Sequence, residues 1–217
     1  MSENDGYSLF TARFPYDRSS DLDERQRAVL DRHDIFPLEG SLRLKALRRP
    51  VVPEPPRSDE NGGPCSVCRM ADEDWLWCDE RWGVQAWSAP RAFPSVLLFP
   101  RSHQDLPDLP PEVAGELGHA LRQTARAIEM LEGIARVHVE KRGDAGEHMH
   151  WYLLGRAEGL MQCRGSFLPL WDMLLAPMPD EIWQATAKQI RTNMDSVGGI
   201  ATPRLSRAVS ANEAAPC

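Results

Sequence analysis

The sequence has 217 residues, a length that fits one domain with an extension better than two full domains. Hydrophobic residues make up 42% of the chain and include seven tryptophans, which is enough for a globular core. The formal net charge of −7 argues against a protein that binds nucleic acid, because such proteins normally present a basic face.

No segment approaches the run of about 18 apolar residues that a transmembrane helix requires. The N-terminus (MSENDGYSLF) lacks the basic and then apolar pattern of a secretion signal, so we expect a cytoplasmic protein with no membrane partner. Five cysteines, an odd number, in a chain without an export signal also argue against a disulfide framework. The cysteines therefore direct attention to metal binding.

Residues 1–60 are predicted to form an N-terminal extension. A short amphipathic helix is predicted over 21–33, and a basic stretch, SLRLKALRRP, follows it. The next segment, VVPEPPRSDENGGP, is rich in proline, glycine and charge, which is typical of a linker. The main domain is therefore predicted over 61–195, with a flexible Ser/Ala/Pro-rich tail over 196–217.

The main domain combines strand patterns with one long helix pattern. The helix is predicted over 111–132, where two prolines precede apolar residues at helical spacing. A second helix is predicted over 180–193, and the segment after Pro169 is expected to be irregular. Strands are predicted at 75–78, 82–88, 95–100, 134–140 and 147–154. This order indicates an α+β sheet domain.

The stretch GDAGEHMHWYLLGR, residues 143–156, carries the residues best suited to catalysis. On a strand, His148, His150 and Tyr152 share one face, with the two histidines about 7 Å apart. A neutral imidazole beside phosphate-binding donors is what nucleophilic attack on a phosphate ester requires. The alternative is that the two histidines form a structural pair.

The loop before these histidines is predicted to bind phosphate. Gly143 and Gly146 bracket it, and its main-chain N–H groups could face an anion. Arg142 and Asp144 complete the predicted phosphate-binding set. For Arg142 a solvated strand end is the other interpretation, and Asp144 is also typical of a turn.

Cys65 and Cys68 have the CxxC spacing of a zinc knuckle. The rival interpretation, a thioredoxin-like redox pair, needs a βαβ context that is absent here. His103, which follows the apolar run VLLFP, and His148 would complete a closed Cys2His2 set, in which the metal is structural. The alternative is that these four residues do not converge.

The order of these motifs resembles that of the histidine triad superfamily. CxxC, a strand followed by PRSHxxLxDL, a long helix, and a glycine loop before H-x-H are most similar to its zinc-containing branch. That branch includes the galactose-phosphate uridylyltransferases and some bacterial triad hydrolases. The resemblance covers roughly residues 64–156 and implies a histidine-triad-like antiparallel sheet. It also implies that Cys65, Cys68, His103 and His148 bind structural zinc and that His150 is the nucleophile.

The sequence departs from the family at two positions. Tyr152 stands where triad hydrolases have a third histidine and the uridylyltransferases have glutamine, although its hydroxyl could donate to a phosphate oxygen. Glu147 stands directly before His148, where an acid is unfavourable for phosphate. Strand alternation predicts that Glu147 points to the opposite face.

The leading hypothesis is a nucleotide-conjugate hydrolase or nucleotidyltransferase that acts at the α-phosphate through a nucleotidyl-histidine on His150. Hydrolysis is favoured slightly, since it needs no second pocket. The alternative is a non-catalytic, zinc-stabilised module that binds a nucleotide or a protein. A catalytic metal held by both His148 and His150 would need a further ligand and an open coordination position. The resemblance also implies a homodimer, for which the helix over 111–132 and its neighbouring strand could supply a twofold interface. The alternative is that the extension over 1–60 covers that surface.

Overall fold

The computed structural model describes residues 19–31, 36–38, 40, 42–87 and 91–198. The chain divides into two compact units, Met1–Pro56 and Arg57–Cys217. The second unit therefore begins slightly before the predicted boundary near residue 60. Most of the predicted tail over 196–217, including Cys217, lies outside the described residues.

The first unit contains one short helix and a two-stranded antiparallel sheet within its described residues. The predicted helix over 21–33 is shorter, and the last two of those residues lie outside the described ranges. These elements are β1 (Ser20–Asp21), α1 (Glu24–Asp31) and β2 (Arg43–Leu44).

The second unit is built on a five-stranded antiparallel sheet with the order β3-β4-β5-β7-β6. Its strands are β3 (Trp77–Cys78), β4 (Trp82–Ala86), β5 (Ser95–Pro100), β6 (Ile134–Lys141) and β7 (Trp151–Ala157). Its helices are α2 (Pro111–Glu129), α3 (Leu168–Leu174) and α4 (Asp180–Gly198). The predicted α+β class is confirmed.

The main core lies on the sheet face that α2 and α4 cover. Alternate residues of β4, β5 and β7 point to this face, because side chains alternate along a strand. Leu98 and Leu153 from the sheet are fully buried there against Ile128 of α2 and Ile190 of α4. This packing fixes the position of β7.

A smaller cluster occupies the opposite face of the sheet. Phe93, Leu154, Cys163 and Leu168 are buried in it, and Tyr152 packs against it. Tyr152 therefore has an apolar support on the face that also bears the candidate histidines.

Several predicted elements differ in their bounds; for example, the strand predicted at 75–78 begins at Trp77, and the helix predicted over 180–193 continues to Gly198. Two further differences have a physical reason. The strand predicted over 147–154 begins only at Trp151. The N–H groups of Glu147 and His148 donate hydrogen bonds to the Asp59 carboxylate, so they do not pair with a neighbouring strand. The segment after Pro169 is not irregular, since α3 occupies it with Pro169 in its first turn, where proline is tolerated. None of the helices in the described ranges is long and apolar enough to cross a membrane.

Candidate metal centre and histidine site

Four ligand atoms, from Cys65, Cys68, His103 and His148, lie within 4.8 Å of one another. The cysteines flank the start of a single 3₁₀ turn, Val67–Arg69, whereas His103 follows β5 and His148 precedes β7. Segments that are distant in the sequence thus meet at one point. The structure brings together the ligand set that the sequence predicts.

The spacing of these atoms fits a zinc ion. Tetrahedral zinc, with bonds of about 2.3 Å to sulfur and about 2.0 Å to nitrogen, separates a sulfur and a nitrogen ligand by roughly 3.6 Å. The Sγ atom of Cys65 is 3.3 Å from Nδ1 of His148, and Sγ of Cys68 is 3.4 Å from Nδ1 of His103 and 3.5 Å from that of His148. The two thiols and two imidazoles also match the ligands that zinc prefers.

Each imidazole of the cluster has a partner for its other nitrogen. Nε2 of His148 lies 2.8 Å from the carbonyl oxygen of Pro100, which can only accept, so Nε2 carries the hydrogen and Nδ1 presents its lone pair to the cysteines. Nε2 of His103 faces the Glu147 carboxylate at 3.4 Å. Such partners orient metal-binding histidines. The carboxylate of Glu147 therefore points toward His103, one of the four candidate metal ligands.

Burial lowers the pKa of His148, and the nearby His103 and His150 lower it further, although the Pro100 hydrogen bond opposes them. His148 is only 2% exposed. His148 is thus held neutral, which is the form that binds a metal.

His150 is not one of the four clustered Cys and His residues, and both of its ring nitrogens have hydrogen-bond partners. Nδ1 is 2.9 Å from the carbonyl oxygen of His148, and Nε2 is 2.9 Å from the hydroxyl of Tyr152. Because the carbonyl only accepts, the neutral ring carries its hydrogen on Nδ1 and its lone pair on Nε2. His148 and His150 both contact the ring of Phe99, at centroid distances of 5.7 and 5.6 Å.

Aromatic and cationic groups surround the ring of Tyr152. The ring of Trp87 lies 4.7 Å away, and the guanidinium of Arg142 lies 4.7 Å from the ring centroid of Tyr152. Arg91 in turn stacks on Trp87 at 4.0 Å. These contacts fix the phenol so that its hydroxyl meets His150. Burial raises the pKa of Tyr152 despite the opposing charges of Arg142 and Arg91, so the hydroxyl keeps its hydrogen at neutral pH.

The predicted phosphate loop begins at Arg142, whose guanidinium lies over the ring of Tyr152. Arg142, at its start, forms an ion pair with Glu140 at 2.8 Å. The carbonyl of Gly143 accepts from Arg57 at 3.4 Å, and Asp144 is near enough to act on the pKa of Tyr152.

The last predicted loop residue, Gly146, lies against Asp59, a residue that the sequence analysis missed. A Cβ atom on Gly146 would meet an Asp59 carboxylate oxygen at 3.2 Å. Burial alone would raise the pKa of Asp59, but hydrogen bonds from the N–H groups of Glu147 and His148 outweigh it and lower that pKa. Asp59 lies in a stretch with linker composition, which gave no signal of this role.

No family model and no curated protein matches this chain. Among solved structures, it is similar to a zinc-bound histidine triad family protein from Mycobacterium smegmatis, with 18% identity, a TM-score of 0.46, and coverage of 62% of this chain and 96% of that one. A hypothetical histidine triad nucleotide-binding protein from Sulfolobus tokodaii matches with 15% identity, a TM-score of 0.46, and coverage of 61% and 93%. A uridylyltransferase matches with 19% identity and a TM-score of 0.44, over 61% of this chain and 45% of its own.

Proposed function

We propose that the protein cleaves or transfers the 5′-phosphate group of a nucleotide conjugate at its α-phosphorus, through a covalent nucleotidyl group on His150. The observation that carries the proposal is the orientation of the His150 imidazole. Its Nδ1 donates a hydrogen bond to the main-chain carbonyl of His148, so its lone pair is on Nε2. Nε2 lies next to a phenol that can donate a hydrogen bond. The motif order that resembles the histidine triad superfamily supplies the nucleotide part of the proposal.

In the proposed reaction, the lone pair of Nε2 forms a bond to phosphorus, and the bond to the leaving oxygen breaks with its electron pair. The imidazole then carries positive charge, which the carbonyl of His148 stabilises through the Nδ1 hydrogen. In a second step water, or the hydroxyl of an acceptor substrate, attacks the phosphorus, and its proton passes through solvent to the leaving oxygen that the first step released as an anion. The nitrogen–phosphorus bond breaks, and its electron pair returns to Nε2.

Tyr152 and the loop before His148 are proposed to bind the phosphate. A phosphate placed at Nε2 offers the Tyr152 hydroxyl a charged acceptor, which makes a stronger hydrogen bond than a neutral imidazole. Arg142 lies over the ring of Tyr152 and adds positive charge beside it. The N–H groups of Gly143, Asp144 and Gly146 complete the proposed phosphate contacts.

Cys65, Cys68, His103 and His148 would hold a zinc ion. With four protein ligands such an ion has no position for substrate, so we propose a structural role. Holding the imidazole of His148 also fixes its main-chain carbonyl, to which His150 is bonded.

One observation favours a second candidate, a non-catalytic nucleotide-binding or protein-binding module. The Tyr152 hydroxyl occupies the lone pair of His150 at 2.9 Å, and a nitrogen held in this way does not attack phosphorus. The two candidates differ in whether a ligand displaces the phenol from Nε2.

Mass spectrometry of the intact protein tests the proposal. The protein is mixed with a panel of adenylyl, guanylyl and uridylyl conjugates, and the reaction is quenched early. We expect a mass increase of one nucleotidyl group, located at His150 by peptide mapping, and turnover of the same conjugate.

Two variants serve as a matched pair in this experiment. His150→Ala should lose both the mass increase and the turnover, whereas His119→Ala, at an exposed position of α2, should keep both. Nucleotide binding without any mass increase or turnover in the wild type would favour the binding module. Full turnover in His150→Ala would exclude the covalent mechanism.

A further inference from the structure

The three residues Arg57, Ser58 and Asp59 bind the loop that precedes His148. Arg57 donates to the carbonyl of Gly143 at 3.4 Å. The N–H and hydroxyl groups of Ser58 both donate to the carbonyl of Ala145, at 3.2 and 2.9 Å. Consecutive residues of this segment therefore form hydrogen bonds with successive residues of the loop before His148.

Asp59 makes the most specific of these contacts. One carboxylate oxygen accepts from the N–H of Glu147 at 2.5 Å, and the other accepts from the N–H of His148 at 3.2 Å. Asp59 is only 6% exposed. A buried carboxylate that accepts from two consecutive main-chain N–H groups fixes the peptide planes on both sides of Glu147 and so the direction in which His148 leaves the backbone.

The same segment also reaches the third ligand-bearing part of the chain. Arg57 forms an ion pair with Asp105 at 2.6 Å, two positions after His103, and its guanidinium lies 3.6 Å from the carboxylate of Glu147, which faces His103. Beyond Asp59 the chain runs directly to Cys65. The segment thus connects the three parts of the chain that carry the cysteines, His103 and His148.

The geometry points to Asp59 as a positioning residue of the metal centre, one that occupies the main-chain donors of the His148 loop with an internal carboxylate. The Asp59 side chain also makes a hydrogen bond with the thiol of Cys65, so it interacts with two of the four ligand residues. It acts through the backbone of His148, whose Nδ1 must stay within bonding reach of the site shared with Cys65. The inference rests on the metal site of the proposed function, and it does not depend on the reaction at His150.

This inference also limits where a phosphate can bind. The N–H groups of Glu147 and His148 are bonded to Asp59, so an incoming phosphate meets the earlier part of the loop and the side chain of Tyr152.

Zinc affinity tests the inference without any substrate. Purified full-length protein is loaded with zinc, and a chromogenic chelator competes for the metal. Asp59→Ala should weaken zinc binding by about 10- to 100-fold, the usual effect of losing a group that orients a ligand. Asp59→Asn, which keeps the shape and one acceptor, should give a smaller loss. Ser58→Ala is the matched control, because it removes a bond to the same loop that does not involve a ligand residue, and it should bind zinc like the wild type.

Two further measurements separate positioning from general stability. The visible spectrum of the Co²⁺-loaded protein reports the ligand geometry, and we expect it to change in both Asp59 variants and not in Ser58→Ala. Hydrogen exchange at the amides of Glu147 and His148 should also accelerate in the Asp59 variants. If Asp59→Ala does not fold, Asp59→Asn decides.

Unchanged zinc affinity and an unchanged Co²⁺ spectrum in Asp59→Asn and in any folded Asp59→Ala would overturn the inference. A wild-type protein that binds neither zinc nor Co²⁺ would overturn it too, together with the metal part of the proposed function. Failure to form a covalent nucleotidyl group would leave the metal measurements unaffected, so the two failures are distinguishable.

Discussion

At the scale of single residues, the phenol of Tyr152 takes the place next to the candidate nucleophile. Trp87 and Arg142 contact the ring of Tyr152 and hold it in place, and its hydroxyl lies beside Nε2 of His150. A phenol at this place can donate one hydrogen bond, and it carries no charge at neutral pH. If the proposed reaction uses this hydroxyl as a donor, the donor does not titrate in the physiological range.

Removing the Tyr152 hydroxyl should reduce turnover. We expect Tyr152→Phe to lower kcat by about 100-fold if the hydroxyl donates to the transferring phosphate or the leaving oxygen, within the usual range for a positioned proton donor. The loss should be in kcat more than in KM, since the hydroxyl is bonded to His150 before substrate arrives. Equal kcat in Tyr152→Phe and wild type would remove Tyr152 from the mechanism.

The pH profile follows from the direction of the Tyr152 pKa. Burial raises this pKa above its usual value near 10, and the hydroxyl donates only while protonated. The donor is therefore present at all pH values below the unperturbed pKa and is lost only as the pH rises through the higher folded value. We expect the ratio of wild-type to Tyr152→Phe turnover to stay constant from pH 6 to 9, a range below that pKa by about one unit or more. A ratio that falls within this range would contradict the protonated donor.

The metal ligands should respond differently from His150. Cys65→Ser and His148→Ala should both lose zinc and lower the melting temperature, because a structural metal contributes directly to folding. His150→Ala should keep about one zinc per chain and melt like the wild type, since His150 is not part of the ligand set. Elemental analysis and thermal unfolding measure both quantities. A metal-free wild type, or a Cys65→Ser variant as stable as the wild type, would contradict the ligand assignment.

At the scale of elements, most of the sheet and its long helix could be predicted because their apolar residues repeat with the period of a strand or a helix. β5 and α2 begin where predicted, and α2 ends a few residues early. The segment around His148 could not be predicted in this way. Its main-chain partner is the side chain of Asp59, which lies 89 positions from His148, and no periodicity encodes such a contact. For the same reason, composition alone assigns Asp59 to a linker.

Replacing two glycines of the second unit by alanine is expected to change the free energy of unfolding in opposite directions. Gly155 lies on β7 under α2, where an added Cβ would meet Cγ2 of Ile128 at 2.9 Å, whereas Gly118 on α2 has nothing within 4 Å of its Cβ position. Gly155→Ala should destabilise the protein by about 1–3 kcal/mol through overpacking. Gly118→Ala should stabilise it by roughly 0.5–1 kcal/mol through helix propensity. Chemical denaturation measures both, and a neutral Gly155→Ala would show that α2 can move away from the sheet.

At the scale of the whole molecule, the homodimer implied by the family resemblance stays a prediction. β6 is the edge strand next to β7, and Val139 on it is 41% exposed. An exposed edge strand can pair with its copy across a twofold axis. We expect a dimer by light scattering at micromolar concentration and a monomer for Val139→Lys. A wild-type monomer under these conditions would contradict the prediction.

The wide sequence separation of the metal ligands has a consequence for kinetics. Cys65 and His148 are 83 positions apart, so we expect a metal ion to join them only late in folding, after the strands between them have paired. An interaction that forms late is absent from the folding transition state and acts on the unfolding rate. Zinc should therefore lengthen the lifetime of the native state while leaving the speed of refolding nearly the same. After a chelator removes the zinc, native protein would then be lost at the unfolding rate of the metal-free chain. In a cell short of zinc, the amount of folded protein would therefore fall gradually.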